Sequence, residues 1–353
     1  MPYDVAYDDL CAIVHIAHVP GGLAGEIDGL YSSLFSTLDY FATYDDMEPS
    51  GAVVLRSPRH VLLFAVVGDT IEVLNKTIAI APVDARRACR ALFRALPDVR
   101  RIHLEVMFPP ARLRLAKRVL YSSDDMVVAL PGSMESYLES LGRSTRRNLR
   151  TYENRLRRSH PDVTTEVFEP GGRTTELFDL FMGWKRRRLA ADGRTVYFDR
   201  FPDQEARFTE LLRRRGEVHL TSIEGRAVSL VFAFPVGEAS YIYQYAFDPD
   251  LAYFHLGLLS QYWVIADALA RGMRRVNLLW GTSYYKERLG ARPVRATRLS
   301  VFRSQAARLF SLGEAAEVGL LRLRRARGLY WRARHAVGIW VRAHSRWPSG
   351  RKP

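Results

Sequence analysis

Cysteine is scarce in this 353-residue chain: only Cys11 and Cys89 are present. That excludes a disulfide framework and leaves both as small apolar residues. It also fits a reducing compartment. Long apolar runs are missing as well. Residues 61–67 form a strand-sized run, well short of the ~20 residues a membrane-spanning helix needs. The opening Met1-Pro2-Tyr3-Asp4 is acidic rather than basic, so no secretory signal is expected and a cytoplasmic location is. No Gly-x-Ser-x-Gly, P-loop or dinucleotide fingerprint occurs. The nine histidines include isolated residues such as His103, His160 and His219. No His/Cys/Asp group has metal-ligand spacing along the chain, and no metal is expected.

Positive charge is what the chain has in excess: 52 Lys/Arg against 38 Asp/Glu, a formal +14. The excess is concentrated. Residues 303–353 hold 12 Lys/Arg and 2 acids, and residues 143–158 hold 7 Arg and 1 Glu. The remainder is near neutrality, so the basic character belongs to one helix and one tail. A hydrophobic content of 48% allows a large core, and the length suits about two domains.

Residues 26–41 carry Ile27, Leu30, Leu34, Leu38 and Phe41 at helical spacing, which predicts a helix. Strands are predicted at 52–56, 60–67 and 70–74, with turns at Ser57-Pro58 and Gly68-Asp69. A helix over 82–96 and a strand over 101–107 follow. Residues 1–130 thus read as a first domain of mixed α/β type. Residues 125–129 are extended, and Ser133 caps a helix bearing Met134, Tyr137, Leu138 and Leu141. After Gly142, Ser144 caps a second helix, apolar on Leu149, Tyr152 and Leu156 and basic on Arg143, Arg146, Arg147 and Arg150. A strand over 162–168, a helix over 174–191 and helical residues at 208–213 come next. Strands at 217–223 and 227–235 then lead, through turns at Glu224-Gly225 and Gly237-Glu238, into the most informative stretch.

That stretch, 240–286, reads strand, loop, helix, strand. The aromatic run at 241–247 favours a strand, and Asp248-Pro249-Asp250 breaks it. A helix opens at Gly257 and closes at Gly272; a strand over 276–280 stops at Gly281. A crossover of this kind puts both strands in one sheet and the helix start beside the end of the first. Such a start offers free N–H groups to an anion. A last strand is predicted at 296–302. Residues 131–302 form the second domain, and both halves read as helices, meander, helix, strand. Residues 303–353 form a basic tail in which Leu309, Phe310, Tyr330, Trp331, Trp340 and Trp347 interrupt the arginines. That pattern reads as an amphipathic helical attachment to an anionic membrane surface, as a segment docked on the body, or as an RNA clamp.

The second half resembles the GNAT acyltransferase fold. It is most similar to the branch of Fem-type peptidyltransferases and of cellulose- and exopolysaccharide-associated (CelD-like) proteins. Three segments carry the resemblance across residues 133–302. They are Leu141-Gly142-Arg143-Ser144-Thr145-Arg146-Arg147-Asn148-Leu149-Arg150, then Tyr245-Ala246-Phe247-Asp248-Pro249 with Gly257-Leu258-Leu259, and Trp280-Gly281 with Tyr285-Lys286. His255-Leu256-Gly257 stands where relatives often have Ser/Thr-Pro-Gly. The resemblance implies tandem GNAT-like domains, the first degenerate, and N-acyl transfer from acetyl-CoA or another acyl-CoA. The acceptor it implies is an amine of an amino sugar, amino acid or lipid-linked envelope precursor. The rival activities are a Fem-like aminoacyl-tRNA-dependent transferase, with tRNA as partner, and a non-catalytic membrane-associated adaptor for polysaccharide synthesis.

The implied acyl-CoA site is the strand end at Ala246 and Phe247 together with the backbone of His255, Leu256, Gly257 and Leu258. Gly257 reads either as phosphate anchor or as plain helix start. By strand alternation Tyr241, Tyr243 and Tyr245 share one face and Gln244 the other. Tyr245, nearest the turn, is the favoured proton donor among them, with core packing as the alternative. Asp248 reads as a general base or as the turn itself. Lys286 reads as oxyanion or phosphate partner, or as a surface lysine, and Tyr285 as ligand contact or packing. Arg143, Arg146 and Arg147 read as contacts for an acidic substrate, for CoA phosphates or for RNA, or as a solvated face. Trp184, Tyr243 and Gln244 are the remaining candidate walls of the acceptor cleft.

Overall fold

The computed structural model describes residues 1–44, 49–191 and 193–311. Most of the predicted tail, from residue 312 on, lies outside the described residues. The first half contains β1 (Tyr3–Tyr7), β2 (Ala12–Ile16), α1 (Leu23–Tyr31), α2 (Leu38–Tyr44), β3 (Gly51–Arg56), β4 (Arg59–Val67), β5 (Thr70–Val73), α3 (Pro82–Ala95), β6 (Arg101–Val106) and β7 (Lys117–Ala129). The second contains α4 (Met134–Ser140), α5 (Arg143–Ser159), β8 (Thr164–Phe168), α6 (Thr174–Ala190), α7 (Tyr197–Arg200), α8 (Pro202–Arg215), β9 (Glu217–Ile223), β10 (Arg226–Val236), β11 (Ala239–Phe247), α9 (Leu256–Ala270), β12 (Arg275–Trp280), α10 (Tyr284–Arg288) and β13 (Arg292–Phe302). A short α11 (Gln305–Phe310) follows. The fold is mixed α/β.

All 13 strands join one sheet in the order β1-β2-β3-β4-β5-β6-β13-β7-β12-β11-β10-β9-β8. Two units of like topology face each other across its middle. In each, an antiparallel meander ends on a strand, a helix crosses over, and the next strand pairs parallel: β5 with β6, and β11 with β12. The last strands are exchanged. β13 lies between β6 and β7, and β7 pairs with β12. The sheet therefore runs unbroken across residue 130, because each half completes the other.

The sequence missed the β1–β2 hairpin, and it ran α1 and α2 into one helix. The break falls at Ser32, whose φ of 47° cannot continue a helix. The second half docks there. Ser32 O accepts from Tyr241 Oη at 3.1 Å and Arg275 Nη2 at 3.2 Å, and Ser32 Oγ accepts from Glu238 N at 3.0 Å. Ser144 does not cap α5; Gly142 occupies that position. Ser133 does cap α4, its Oγ accepting from Ser136 N.

The halves also meet through Arg215 of α8, which donates to Asp28 Oδ2 at 2.6 Å and Asp39 Oδ2 at 2.8 Å. Charge-assisted bonds to two carboxylates in a half-buried setting make Arg215→Met cost about 2 kcal/mol. Denaturant unfolding of the variant checks this; an unchanged midpoint would mean the junction does not depend on it.

Candidate active site

β11 and β12 pair only over Ala239–Tyr241 and Arg275–Asn277. Beyond that they splay. From Ile242 to Phe247 the edge of β11 facing β12 has no strand partner among the described residues. β12 turns away through Leu279, which has φ 60°. The gap carries unpaired backbone along its length, a template for an extended, amide-bearing ligand.

A bulge decides which side chains enter the gap. Phe232 of β10 lies opposite Gln244, and its neighbour Ala233 opposite Ile242, so Tyr243 is the extra residue. An extra residue inverts the alternation that follows it. Tyr241 and Tyr243 accordingly pack on the face of α6 and α8, Tyr243 against Phe208 and Phe234. Tyr245 and Phe247 fall on the face of α9. The prediction that Tyr241, Tyr243 and Tyr245 share a face is thereby corrected. Tyr243 and Trp184 are packing residues, Trp184 being buried in the core; neither lines the cleft. Gln244 is half-buried beside the bulge.

Tyr245 stands at the centre of the cleft. Its ring meets Tyr285 edge-on at 6.0 Å. Lys185 Nζ, from α6, lies 5.2 Å from the Tyr245 ring and 5.3 Å from that of Phe181. No carboxylate pairs with Lys185 among the described residues. Burial, reinforced by Arg188 and Arg194, pushes its ammonium down to about 8. Burial and the neighbouring Tyr245 push the Tyr285 phenol up, so it stays protonated at neutral pH.

α9 opens beside this cleft. His255, at φ 55°, precedes it and stacks on Tyr152 with centroids 3.8 Å apart. The N–H groups of Leu256 and Gly257 have no acceptor among the described residues. Cationic groups surround the opening. Arg188 lies over Tyr245 and Phe247 at 6.0 and 5.9 Å, Arg155 over Tyr253 at 4.4 Å, and Arg288 keeps a buried Nη2 with no hydrogen bond. None of the three has a carboxylate partner among the described residues. Partial desolvation, with Arg155 and Arg288 nearby, lowers the His255 imidazole below its ordinary value. A helix start with free N–H groups and uncompensated guanidiniums suits a multiply charged phosphate. Ala246 and Leu256 are buried, and Leu258 is half-buried, so these residues would present backbone and not side chain.

Gly257 has a packing role too. A Cβ there would stand 2.7 Å from Phe247 Cε1. Gly257→Val therefore pushes the Phe247 ring toward the cleft. We expect about 1–3 kcal/mol of lost stability from the overpacking and weaker binding of the acyl-CoA that the GNAT resemblance implies. Unfolding together with calorimetry checks both; wild-type binding would show the helix start is not a ligand contact.

Two sequence candidates change role. Both oxygens of Asp248, buried in the turn, are taken: Arg187 donates at 3.2 Å, Asp250 N at 3.2 Å, and Arg226 makes a close pair. Asp248 is a turn anchor and not a free base. Lys286 is buried. Its Nζ donates to the carbonyls of Leu279, Trp280 and Gly281 at 3.2, 2.7 and 3.1 Å, holding the bent end of β12. Burial pushes it to about 8 against the opposing pull of Asp125. Asp125 was not read from sequence. It is buried on β7, accepts from Asn277 Nδ2 at 3.1 Å, and burial raises its carboxyl. Arg143, Arg146, Arg147 and Arg150 line one open hollow of about 780 Å³ along the first turns of α5. No ion pair engages them among the described residues.

The expectation of no metal-ligand group was drawn from spacing along the chain. In space two such groups form among the described residues: Asp4 with His15 and His18, and Glu217 with His219 and Asp267. In the second, Arg271 already pairs both carboxylates at 2.8 and 3.1 Å. Among the described residues no helix is long and apolar enough to cross a membrane.

The family model of the acetyltransferase (GNAT) domain matches residues 143–287. The fold of the chain is the GNAT fold. The matched span holds α5, α6, the splayed pair β11/β12, the start of α9 and Lys286. No curated protein matches the chain. Among solved structures, FemX superposes with TM-score 0.58 at 12% identity over 84% of this chain and 99% of its own. A conserved protein of unknown function from Bacteroides thetaiotaomicron superposes with TM-score 0.51 at 13% identity over 86% and 99%. Both likenesses span both halves, and at these identities they concern the fold.

Proposed function

We propose that the chain is an N-acyltransferase that moves an acyl group from an acyl-CoA thioester to an amine. The observation that carries this reading is the splayed β11 edge, running into a helix start ringed by Arg155, Arg188 and Arg288, which have no carboxylate partner among the described residues. An amide-bearing pantetheine arm fits the edge, and a diphosphate fits the cations. Lys185, partly neutral near pH 8, takes the proton lost by the attacking nitrogen. As the C–N bond forms and the C–S bond breaks, Tyr285 donates its proton to the departing sulfur, with Tyr245 beside it. The acceptor we assign is an amine of an amino sugar, amino acid or lipid-linked envelope precursor, as the CelD-like resemblance implies. We place the reaction in the cytoplasm, with the basic tail as a contact for the inner membrane surface.

A second reading, transfer from aminoacyl-tRNA, is favoured by one observation: the open arginine hollow on α5, whose four guanidiniums no ion pair engages among the described residues, suits a polyphosphate backbone. Calorimetry with acetyl-CoA, longer acyl-CoAs and charged tRNA separates the two. Binding of a CoA ester, weakened in an Arg155→Met/Arg288→Met double variant, supports the first. Charged-tRNA binding that is steeply salt-dependent, with no CoA ester bound at millimolar concentration, replaces it with the second. If neither binds, the adaptor role takes their place.

A further inference from the structure

Far along the sheet from the cleft, at its β1 edge, three side chains converge that the reaction does not use. Asp4 on β1 faces His15 on β2 in antiparallel register. The chain then bends at Ala17, whose φ of 60° is one that an alanine adopts only under constraint. The bend returns His18 to the side of His15, with ring centroids 5.4 Å apart. Asp4 Oδ1 lies 2.8 Å from His15 Nδ1 and 3.3 Å from His18 Nε2.

The His18 tautomer is the informative detail. Its Nδ1 lies 3.2 Å from the carbonyl oxygen of Ile16, an acceptor, so Nδ1 bears the proton. In the neutral ring Nε2 then aims a bare lone pair at a carboxylate oxygen. Two acceptors in that relation are reconciled by a cation between them, either a second proton on the ring or a metal ion. A backbone carbonyl holding the far nitrogen is also the usual way a protein orients a metal-binding imidazole. The ligand atoms of all three residues lie within 4.8 Å of one another, and the 2.8 and 3.3 Å separations from Asp4 fall inside the roughly 4.4 Å that one ion with bonds of about 2.2 Å can bridge. His15 is 12% exposed and His18 35%, so the imidazoles are partly shielded while the Asp4 side admits water to the remaining positions.

We infer that Asp4 (through its carboxylate), His15 (through Nδ1) and His18 (through Nε2) bind a divalent transition-metal ion of the zinc class. The ion clips the edge strand β1 to the bend after β2. Two imidazoles and one carboxylate select zinc, nickel or copper over magnesium, which prefers an all-oxygen shell.

The test uses the full chain without a polyhistidine tag, stripped with chelator and titrated by calorimetry with ZnCl2 and, separately, MgCl2. One equivalent of Zn2+ is expected, with no Mg2+ uptake. His18→Ala and Asp4→Asn should each weaken zinc binding by at least ~10–100-fold. No zinc uptake by the wild type, or uptake unchanged in both variants, overturns the site. Should a variant not fold, the imidazole NMR signals of the wild type decide. Zinc-dependent shifts of His15 and His18 support the site, and their constancy rejects it.

Discussion

Lys185→Met will lower kcat for acyl transfer by about 10²–10⁴-fold, the range typical of a lost proton acceptor. Acyl-CoA affinity should change little, because Arg155, Arg188, Arg288 and the α9 start remain. The pH profile gives the sharper reading. Burial and the cations Arg188 and Arg194 push the Lys185 ammonium down to about 8. The neutral amine, which accepts a proton, is the form that accumulates as pH rises through that value. In the wild type log kcat should therefore climb and level off near pH 8, and in the variant that inflection should vanish. Methionine preserves the length and apolarity of the side chain over the Phe181 and Tyr245 rings, so loss of packing does not account for the effect. The measurement is thiol release at saturating acyl-CoA from about pH 6 to 10. An inflection that persists in Lys185→Met would assign proton acceptance to another group and remove Lys185 from the mechanism.

Lys185 shows where a sequence stops informing. The strand, turn, helix and strand of 240–286 were legible because their signals are local. The aromatic run, Asp248-Pro249-Asp250 and the glycine that ends α9, Gly272 at φ 74°, each act within a few residues. So was the GNAT fold, from the order of those signals. The arrangement of the cleft was not legible, since distant contacts set it. The bulge at Tyr243 follows from how β10 pairs, and it sends Tyr245 to the opposite face from Tyr243. Lys185 sits in a run of four basic residues that looks like a solvated helix end. Only the packing of α6 against β11 tells it from its neighbours: Arg186 pairs with Asp199 and Arg187 with Asp248 and Asp250, while Lys185 and Arg188 reach the aromatic rings of the cleft. The helix predicted over 26–41 failed for the same kind of reason. Its spacing is helical throughout, but the docking of Glu238, Tyr241 and Arg275 on Ser32 breaks it.

Lys286→Met separates a residue that shapes the cleft from one that enters it. The side chain is 6% exposed, and its ammonium holds three successive carbonyls at the end of β12. Methionine fills the same volume but donates nothing. The carbonyls of Leu279, Trp280 and Gly281 lose their donor, and Asp125 loses the cation that offsets its burial. We expect a stability loss on the order of 2–4 kcal/mol, set by the groups left without partners more than by the charge removed. The splay between β11 and β12 should relax with it, so kcat falls too. Linkage gives a second readout. The folded lysine titrates near 8 and the unfolded one near 10.5. Between those values the unfolded chain binds more protons, so this residue makes wild-type stability rise with pH across the window. The variant should lack that rise, and denaturant melts at about pH 8 and 10 measure it. A variant as stable as wild type at both values yet unable to turn over would place the Lys286 ammonium on the substrate. The clasp on β12 would then be a consequence of catalysis and not the reason the lysine is buried.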